Sequence, residues 1–181
     1  LLTPVLDVLR ELTENYGVSV VLCTATQPAL DDSPYLRGLR NIREIVPNPG
    51  RYFSLMKRVH YDVPARLEKW SWDQVASVMR ETSQCLVIVN TKKDAMAVLD
   101  ALDDPEAFHL STLLCGAHRR KVIKEVKKRL KSGKPCRLVS TQVVEAGVDL
   151  DFPLVLRAAG PLDRIVQAAG RCNREGRLVD E

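Results

Sequence analysis

The stretch QAAGRCNREG, residues 167 to 176, places Gln167, Arg171 and Arg174 at i, i+4 and i+7. In a helix the three share one face, because each residue turns by about 100°. Two guanidinium groups on one face call for an anion, since arginine keeps its charge and offers a planar fork of donors. Other segments with suitable chemistry follow short apolar runs: TATQP (24 to 28), NT (90 to 91), ST (111 to 112) and STQVVEAGVD (140 to 149). Ser140 and Thr141 close a predicted strand with hydroxyls and backbone amides, donors that suit an anionic ligand.

These groups need a scaffold, and the chain alternates helical periods with short β-branched runs. Val5, Leu6, Val8, Leu9, Leu12 and Tyr16 make one helical face, with Thr3-Pro4 as a start signal and Gly17 as a stop. VSVVLC (18 to 23) reads as a strand apolar on both faces. From about Ala29 to Arg58 the pattern weakens around Pro34, Pro47, Pro49 and Gly50, which reads as a connector. Then come predicted strands at 58 to 63, 85 to 89, 108 to 112, 136 to 140 and 153 to 159, interleaved with helices after Ser71, over 92 to 102, through the basic run and from Pro161. Such alternation predicts β-α-β crossovers and a mainly parallel sheet with helices on both sides. Function in such sheets gathers at the carboxyl ends of the strands, where these segments fall.

Composition narrows the class. The chain has 181 residues, 45% hydrophobic, 28% charged and 5% aromatic, which excludes a disordered chain. No apolar run reaches the ~18 residues of a membrane span, and no secretory leader is legible. The five cysteines are scattered without a C-x-x-C pair, and His60, His109 and His118 lack metal-site spacing. We therefore expect a reducing, cytoplasmic setting, no membrane and no metal ligands in this chain. Residues 119 to 137 carry ten Lys or Arg against one Glu in a chain of net charge +4. That run fits either a solvated helix face or an anionic partner. Its stripe of Val122, Ile123, Val126 and Leu130 belongs to a core under both readings.

Taken in order, TATQP resembles motif III of superfamily 2 helicases, VNT motif IV, STQVVEAGVDLDF motif V and QAAGRCNREG motif VI. The wording of TATQPAL, EAGVDLDF and QAAGRCNREG is similar to the helicase portion of the CRISPR-associated helicase-nuclease of type I interference. The resemblance runs from about residue 18 to the end. It implies two RecA-like lobes with ATP and Mg between them, a single strand of DNA crossing both, and a guide-RNA surveillance complex as partner in antiviral defence. The organisation it implies is a remnant of the first lobe at 1–30, a connector at 31–57 and a second RecA-like lobe at 58–181.

The same resemblance assigns roles. Arg174 becomes the arginine finger that stabilises charge developing on the transferred phosphoryl group. Arg171 is a second phosphate contact, and Gln167 senses the nucleotide or bonds motif V. Gly147 lets the backbone approach the nucleotide, and Asp149 bonds a ribose hydroxyl or its water network. Thr24 and Thr26 couple nucleotide state to the lobe interface. Asn90, Thr91, Ser111, Thr112, Ser140 and Thr141 are strand contacts, although Asn90 and Thr91 also suit plain helix capping. Glu145 reads equally as a solvated or capping acid and as a functional one. Trp70 and Trp72 suit either base stacking or local packing.

The sequence departs from the family pattern in one respect. It contains no G-x-x-x-x-G-K-[ST] and no D-E-x-H or D-E-A-D after a strand. Mg would therefore be held mainly by a first lobe that this chain lacks, along with the histidine-aspartate nuclease domain, and the chain alone is expected not to hydrolyse ATP. Two rival expectations stand beside this one. One is another superfamily 2 DNA or RNA helicase; the other is a non-catalytic nucleic-acid-binding module with a degenerate lobe.

Overall fold

The computed structural model describes residues 2–24, 29–63, 68–145 and 147–178. The chain divides into two compact units, Leu1–Lys57 and Arg58–Glu181.

The first unit holds α1 (Leu2–Asn15) and α2 (Pro49–Leu55). Leu6 and Leu30 are its buried apolar residues, and Arg10 bonds Asp7 at 3.1 Å and the carbonyl of Arg37 at 2.9 Å. Helix α1 begins before Thr3, so that residue does not cap it, whereas Gly17 does take a left-handed φ of 64° just past its end. The expected strand at 18 to 23 does not form: its described residues are exposed and belong to no sheet. A strand gains its stability from a hydrogen-bonded neighbour, and the described residues of this unit supply only isolated bridges, Asp31 with Leu39 and Ser33 with Leu36. The segment read as a connector contains α2 in place of uninterrupted loop.

The second unit is built on α3 (Trp72–Glu81), β1 (Gln84–Ile88), α4 (Lys92–Leu102), β2 (Phe108–Leu110), α5 (Gly116–Lys131), β3 (Cys136–Ser140), β4 (Leu154–Arg157) and α6 (Leu162–Ala169). Its four strands are all parallel, in the order β2-β3-β1-β4. The period of two splits β1 cleanly. Leu86 and Ile88 join Leu110, Leu138, Val126 and Phe152 on one face, while Cys85, Val87 and Val89 join Ala76, Met79, Val98 and Leu102 on the other. Both faces are thus dry, which explains why these strands read as continuous apolar runs.

Local signals set the helix starts. Ser71 and Gln74 form a reciprocal capping box, the Ser71 Oγ accepting at 3.2 Å and the Gln74 Oε1 accepting at 2.7 Å. On α5, Val126 is buried and Val122, Ile123 and Leu130 pack beside it, as the stripe predicts. Lys121, Lys124, Lys128 and Lys131 on the same helix are exposed. The expected strand at 58 to 63 is absent from the sheet. No helix among the described residues is long and apolar enough to cross a membrane.

Candidate functional site at the carboxyl ends of the strands

Strand β3 ends at Ser140, and the chain leaves it through a 3₁₀ turn at Gln142–Val144. Ser140 is fully buried, and its hydroxyl lies 2.8 Å from each of the Leu110 and Thr141 carbonyls, on which its single proton can be spent. Thr141, also buried, donates its N–H to Leu110 at 3.1 Å. Gln142 reaches sideways and donates to the Asn90 carbonyl at 2.9 Å, tying this turn to the end of β1. Asn90 donates its own amide to Ala159 at 2.8 Å and accepts from Arg157 at 2.7 Å. Thr91 caps α4 by accepting from the Asp94 N–H at 3.0 Å, so local capping accounts for its hydroxyl. The Ser111 hydroxyl accepts from Leu113 at 3.1 Å inside its turn, and Thr112 next to it is exposed.

Glu145 is the residue whose environment the sequence did not disclose. Its side chain is 0% exposed and carries two arginines, Arg157 Nε on one oxygen at 3.0 Å and Arg164 Nη1 on the other at 2.9 Å. It is therefore neither solvated nor a cap. A carboxylate this deep requires paired charge. A signal for it does exist in the sequence: Glu145 lies within the apolar VVEAGV and Arg157 ends the apolar LVLR. Each needs a partner that only the fold identifies.

Helix α6 ends at Ala169 and is capped at Gly170, so Gln167, Arg171 and Arg174 do not share a helical face. Gln167 is half-buried on the helix, and Arg171 and Arg174 lie in the turn beyond it. Arg171 is buried and spends its fork on backbone, donating to Val144 at 3.0 Å, Glu145 at 2.6 Å and Gly170 at 3.2 Å. Burial, and then the neighbouring Arg174 charge, lower its pKa. Arg174 points differently: its side chain is 46% exposed and pairs with Asp149 at 2.9 Å. Between the two segments Gly147 adopts φ 71°, a left-handed conformation that glycine reaches without steric cost.

The turn that bears Arg174 is fixed at several points. The Asp151 carboxylate accepts the N–H groups of Arg174 at 2.6 Å and Glu175 at 3.3 Å. Phe152 and Cys172 form a parallel bridge, with Phe152 N–H donating to Arg171 at 2.8 Å and Asn173 N–H donating to Phe152 at 3.0 Å. Asn173 itself sits at φ 42° and bonds Arg58 and Leu178 through its amide at 2.9 and 3.1 Å. The structure thus brings Asp149, Arg171, Arg174 and Glu145 into one connected cluster, with Asn90, Gln142 and Arg157 as its second half. Thr24 belongs to the first unit, and Thr26 lies outside the described residues.

The described residues contain no group of three or more His, Cys, Asp or Glu able to hold a metal ion.

Comparison with known proteins agrees with the geometry. Residues 81–177 match the family of the CRISPR-associated nuclease/helicase Cas3, C-terminal. A Cas3 nuclease/helicase from Methanothermobacter thermautotrophicus is 26% identical over 179 residues, covering 91% of this chain and 21% of that relative. The crystal structure of T. fusca Cas3 with AMPPNP aligns with a TM-score of 0.52 at 26% identity, over 65% of this chain and 15% of that one. A chain of a CRISPR RNA-guided surveillance complex in a pre-nicking state aligns at 0.50 and 25% identity, over 67% of this chain and 16% of its own length. The chain therefore spans about a fifth or less of each of these three relatives. A parallel sheet covered on both faces, motif-like segments at its carboxyl edge and a family match over more than half its length lead to one conclusion: this chain belongs to the Cas3 C-terminal family, as a RecA-like second lobe of a superfamily 2 helicase.

Proposed function

We propose that this chain serves as the second RecA-like lobe of an ATP-driven translocase on single-stranded DNA in type I CRISPR defence, with residues 1–30 a piece of the first lobe and 31–57 a connector. The observation that carries this reading is the division of labour between the two arginines. Arg171 is consumed by backbone carbonyls, whereas Arg174 stands half exposed on an anchored turn and is held by one surface carboxylate, Asp149. An exposed ion pair is worth only about 1 kcal/mol or less, so a triphosphate can displace Asp149 readily. Arg174 then supplies the finger and Asp149 turns to the ribose or its water, with Gly147 allowing the backbone close to the nucleotide. Arg171 and Gln167 act as positioning residues in this scheme, Arg171 by fixing the segment that carries Gly147 and Asp149.

Thr141, Thr112 and the amides at the strand ends are the expected contacts for the single strand, with Asn90, Thr91, Ser111 and Ser140 shaping that surface. ATP and Mg would be bound chiefly by a first lobe containing a phosphate loop. The likeness of this chain to Cas3 with a bound ATP analogue and to a chain of a surveillance complex supports the nucleotide and the partner. The test is steady-state phosphate release, with and without single-stranded DNA, from this chain and from a protein that joins it to a complete first lobe. We expect no turnover from the chain alone and DNA-stimulated turnover from the joined protein, reduced about 10³-fold by Arg174→Ala. Unimpaired turnover in Arg174→Ala would remove the finger assignment.

A further inference from the structure

The charges on Glu145, Arg157 and Arg164 do not cancel. Arg157 and Glu145 have side chains 7% and 0% exposed, so together they already form a neutral buried pair. Arg164 adds a second guanidinium on the free carboxylate oxygen, and its side chain is 44% exposed. Its other acidic neighbour, Asp163, stands 3.8 Å from Nε and is itself half exposed, a pairing worth little in water. Against Glu145 alone one unit of positive charge is left over, which Asp163 offsets only weakly across 3.8 Å at the surface, and the position of Arg164 is fixed from below by a carboxylate that solvent cannot reach.

Neutrality alone would require one arginine here. Ordering a second, long side chain at the surface costs rotamer entropy, and what it yields here is a guanidinium held in one place, with Nη1 on Glu145 and its side chain 44% exposed. Glu145 follows β3 and Arg164 follows β4, so the guanidinium stands on the carboxyl side of the sheet. Asn90 and Gln142 belong to the same side and join the network through Arg157 and the Asn90 carbonyl. Arg171 and Arg174 do not duplicate it, because the first is bound to carbonyls and the second to Asp149.

We propose that Arg164, held in place by the buried Glu145, is a phosphate-binding residue. The inference rests on the reading of this lobe as one that handles nucleotide and single-stranded nucleic acid. Its ligand chemistry is a phosphate oxygen pair, supplied either by a phosphodiester of the strand or by a nucleotide. Arginine meets such oxygens through two parallel N–H donors, which a lysine cannot reproduce.

The experiment measures fluorescence anisotropy of labelled oligo-dT, and separately of a fluorescent ATP analogue, on the 181-residue chain and its Arg164→Gln, Arg164→Lys and Lys134→Gln variants. Lys134 lies before β3, at the other end of the strand, and reports the effect of bulk charge. Arg164→Gln is expected to weaken oligo-dT about fivefold and to flatten the salt dependence by about 0.7 logarithmic units per decade. Arg164→Lys should restore the salt dependence without restoring affinity, and Lys134→Gln should change little. Weaker binding of the nucleotide analogue in place of oligo-dT supports the site with the nucleotide as its source. Equal weakening in Arg164→Gln and Lys134→Gln, or none with either probe, overturns the proposal while leaving the nucleic-acid reading in place. A parent chain that binds neither probe overturns both. Arg164→Gln removes one of the two guanidinium groups on a buried carboxylate, so its melting temperature is expected to fall while Arg164→Lys keeps a charge there; melting temperatures are measured alongside, and affinities are compared where every variant is folded.

Discussion

Arg171 donates its Nη2 proton to the carbonyl oxygen of Glu145 at 2.6 Å, which binds the turn after α6 directly to the turn after β3. Two segments separated in sequence thereby share one frame. The carbonyl of Glu145 is held by Arg171, while its carboxylate is held by Arg157 and Arg164.

Removing Arg171 should therefore cost stability before it costs chemistry. Arg171→Ala leaves the Val144 and Glu145 carbonyls unpaired in a buried site, a loss of about 2–4 kcal/mol. Arg171→Lys should recover little, because an ammonium cannot span both carbonyls. Arg174→Ala breaks only an exposed pair with Asp149 and should unfold within about 0.5 kcal/mol of the parent. Urea melts of the three variants make the comparison, and equal destabilisation by the two alanine changes would contradict the division of labour between Arg171 and Arg174.

Under the proposed function, the basic helix and the strand ends make separable contributions to nucleic-acid binding. Lys124, Lys127, Lys128 and Lys131 can be replaced by glutamine without touching Val122, Ile123, Val126 or Leu130, so the fold should persist. If the helix is part of the track, the salt dependence of oligo-dT binding falls, by up to about 0.7 units for each phosphate that a lysine no longer neutralises. Thr141→Val is the companion, near-isosteric change at a buried strand end. We expect the lysine variant to lose salt dependence and Thr141→Val to lose affinity. Parent-like binding by both would mean that this lobe does not carry the strand.

The buried thiols give the fold an alkaline limit. Burial pushes Cys85 up to about 12 and Cys136 up to about 11 from 9.0, with Arg137 and Arg129 opposing the shift in turn. The folded chain thus holds these protons more tightly than the unfolded chain does. Their stabilisation is complete below pH 9.0 and is lost as pH rises towards 11 and 12. Each thiol contributes a slope of about 1.4 kcal/mol per pH unit across that window. Urea midpoints measured over this range, in the parent and in a Cys85→Ala, Cys136→Ala variant, isolate the effect; parallel curves for the two proteins would refute it.

The parts of the fold legible in the sequence are those with local causes. Ser71 with Gln74, Thr91 with Asp94, and the continuous apolar run from Cys85 to Val89 each state their structure within a few residues. The order of motif-like segments carries the RecA-like lobe and the family. Strand 18 to 23 does not follow from its composition, because pairing depends on a neighbour and not on β-branched side chains alone. The helical face from Gln167 to Arg174 fails at Gly170, where the helix ends and the turn takes over. Glu145 stays ambiguous in the sequence because its partners are 12 and 19 residues away and are brought to it by separate elements.

The mounting of Arg174 also bears on timing. Its backbone is pinned to Asp151 and its neighbours to Phe152 and Arg58, so the guanidinium has only the play of its own side chain. A tool on a stiff mount travels with its carriage: when the lobe moves as a body, the charged tip moves by nearly the same amount, without slack. If this arginine completes a nucleotide site, the clock of hydrolysis is the motion of the whole lobe, and loosening Asp151 would put backlash into the machine before it weakened any single bond to phosphate.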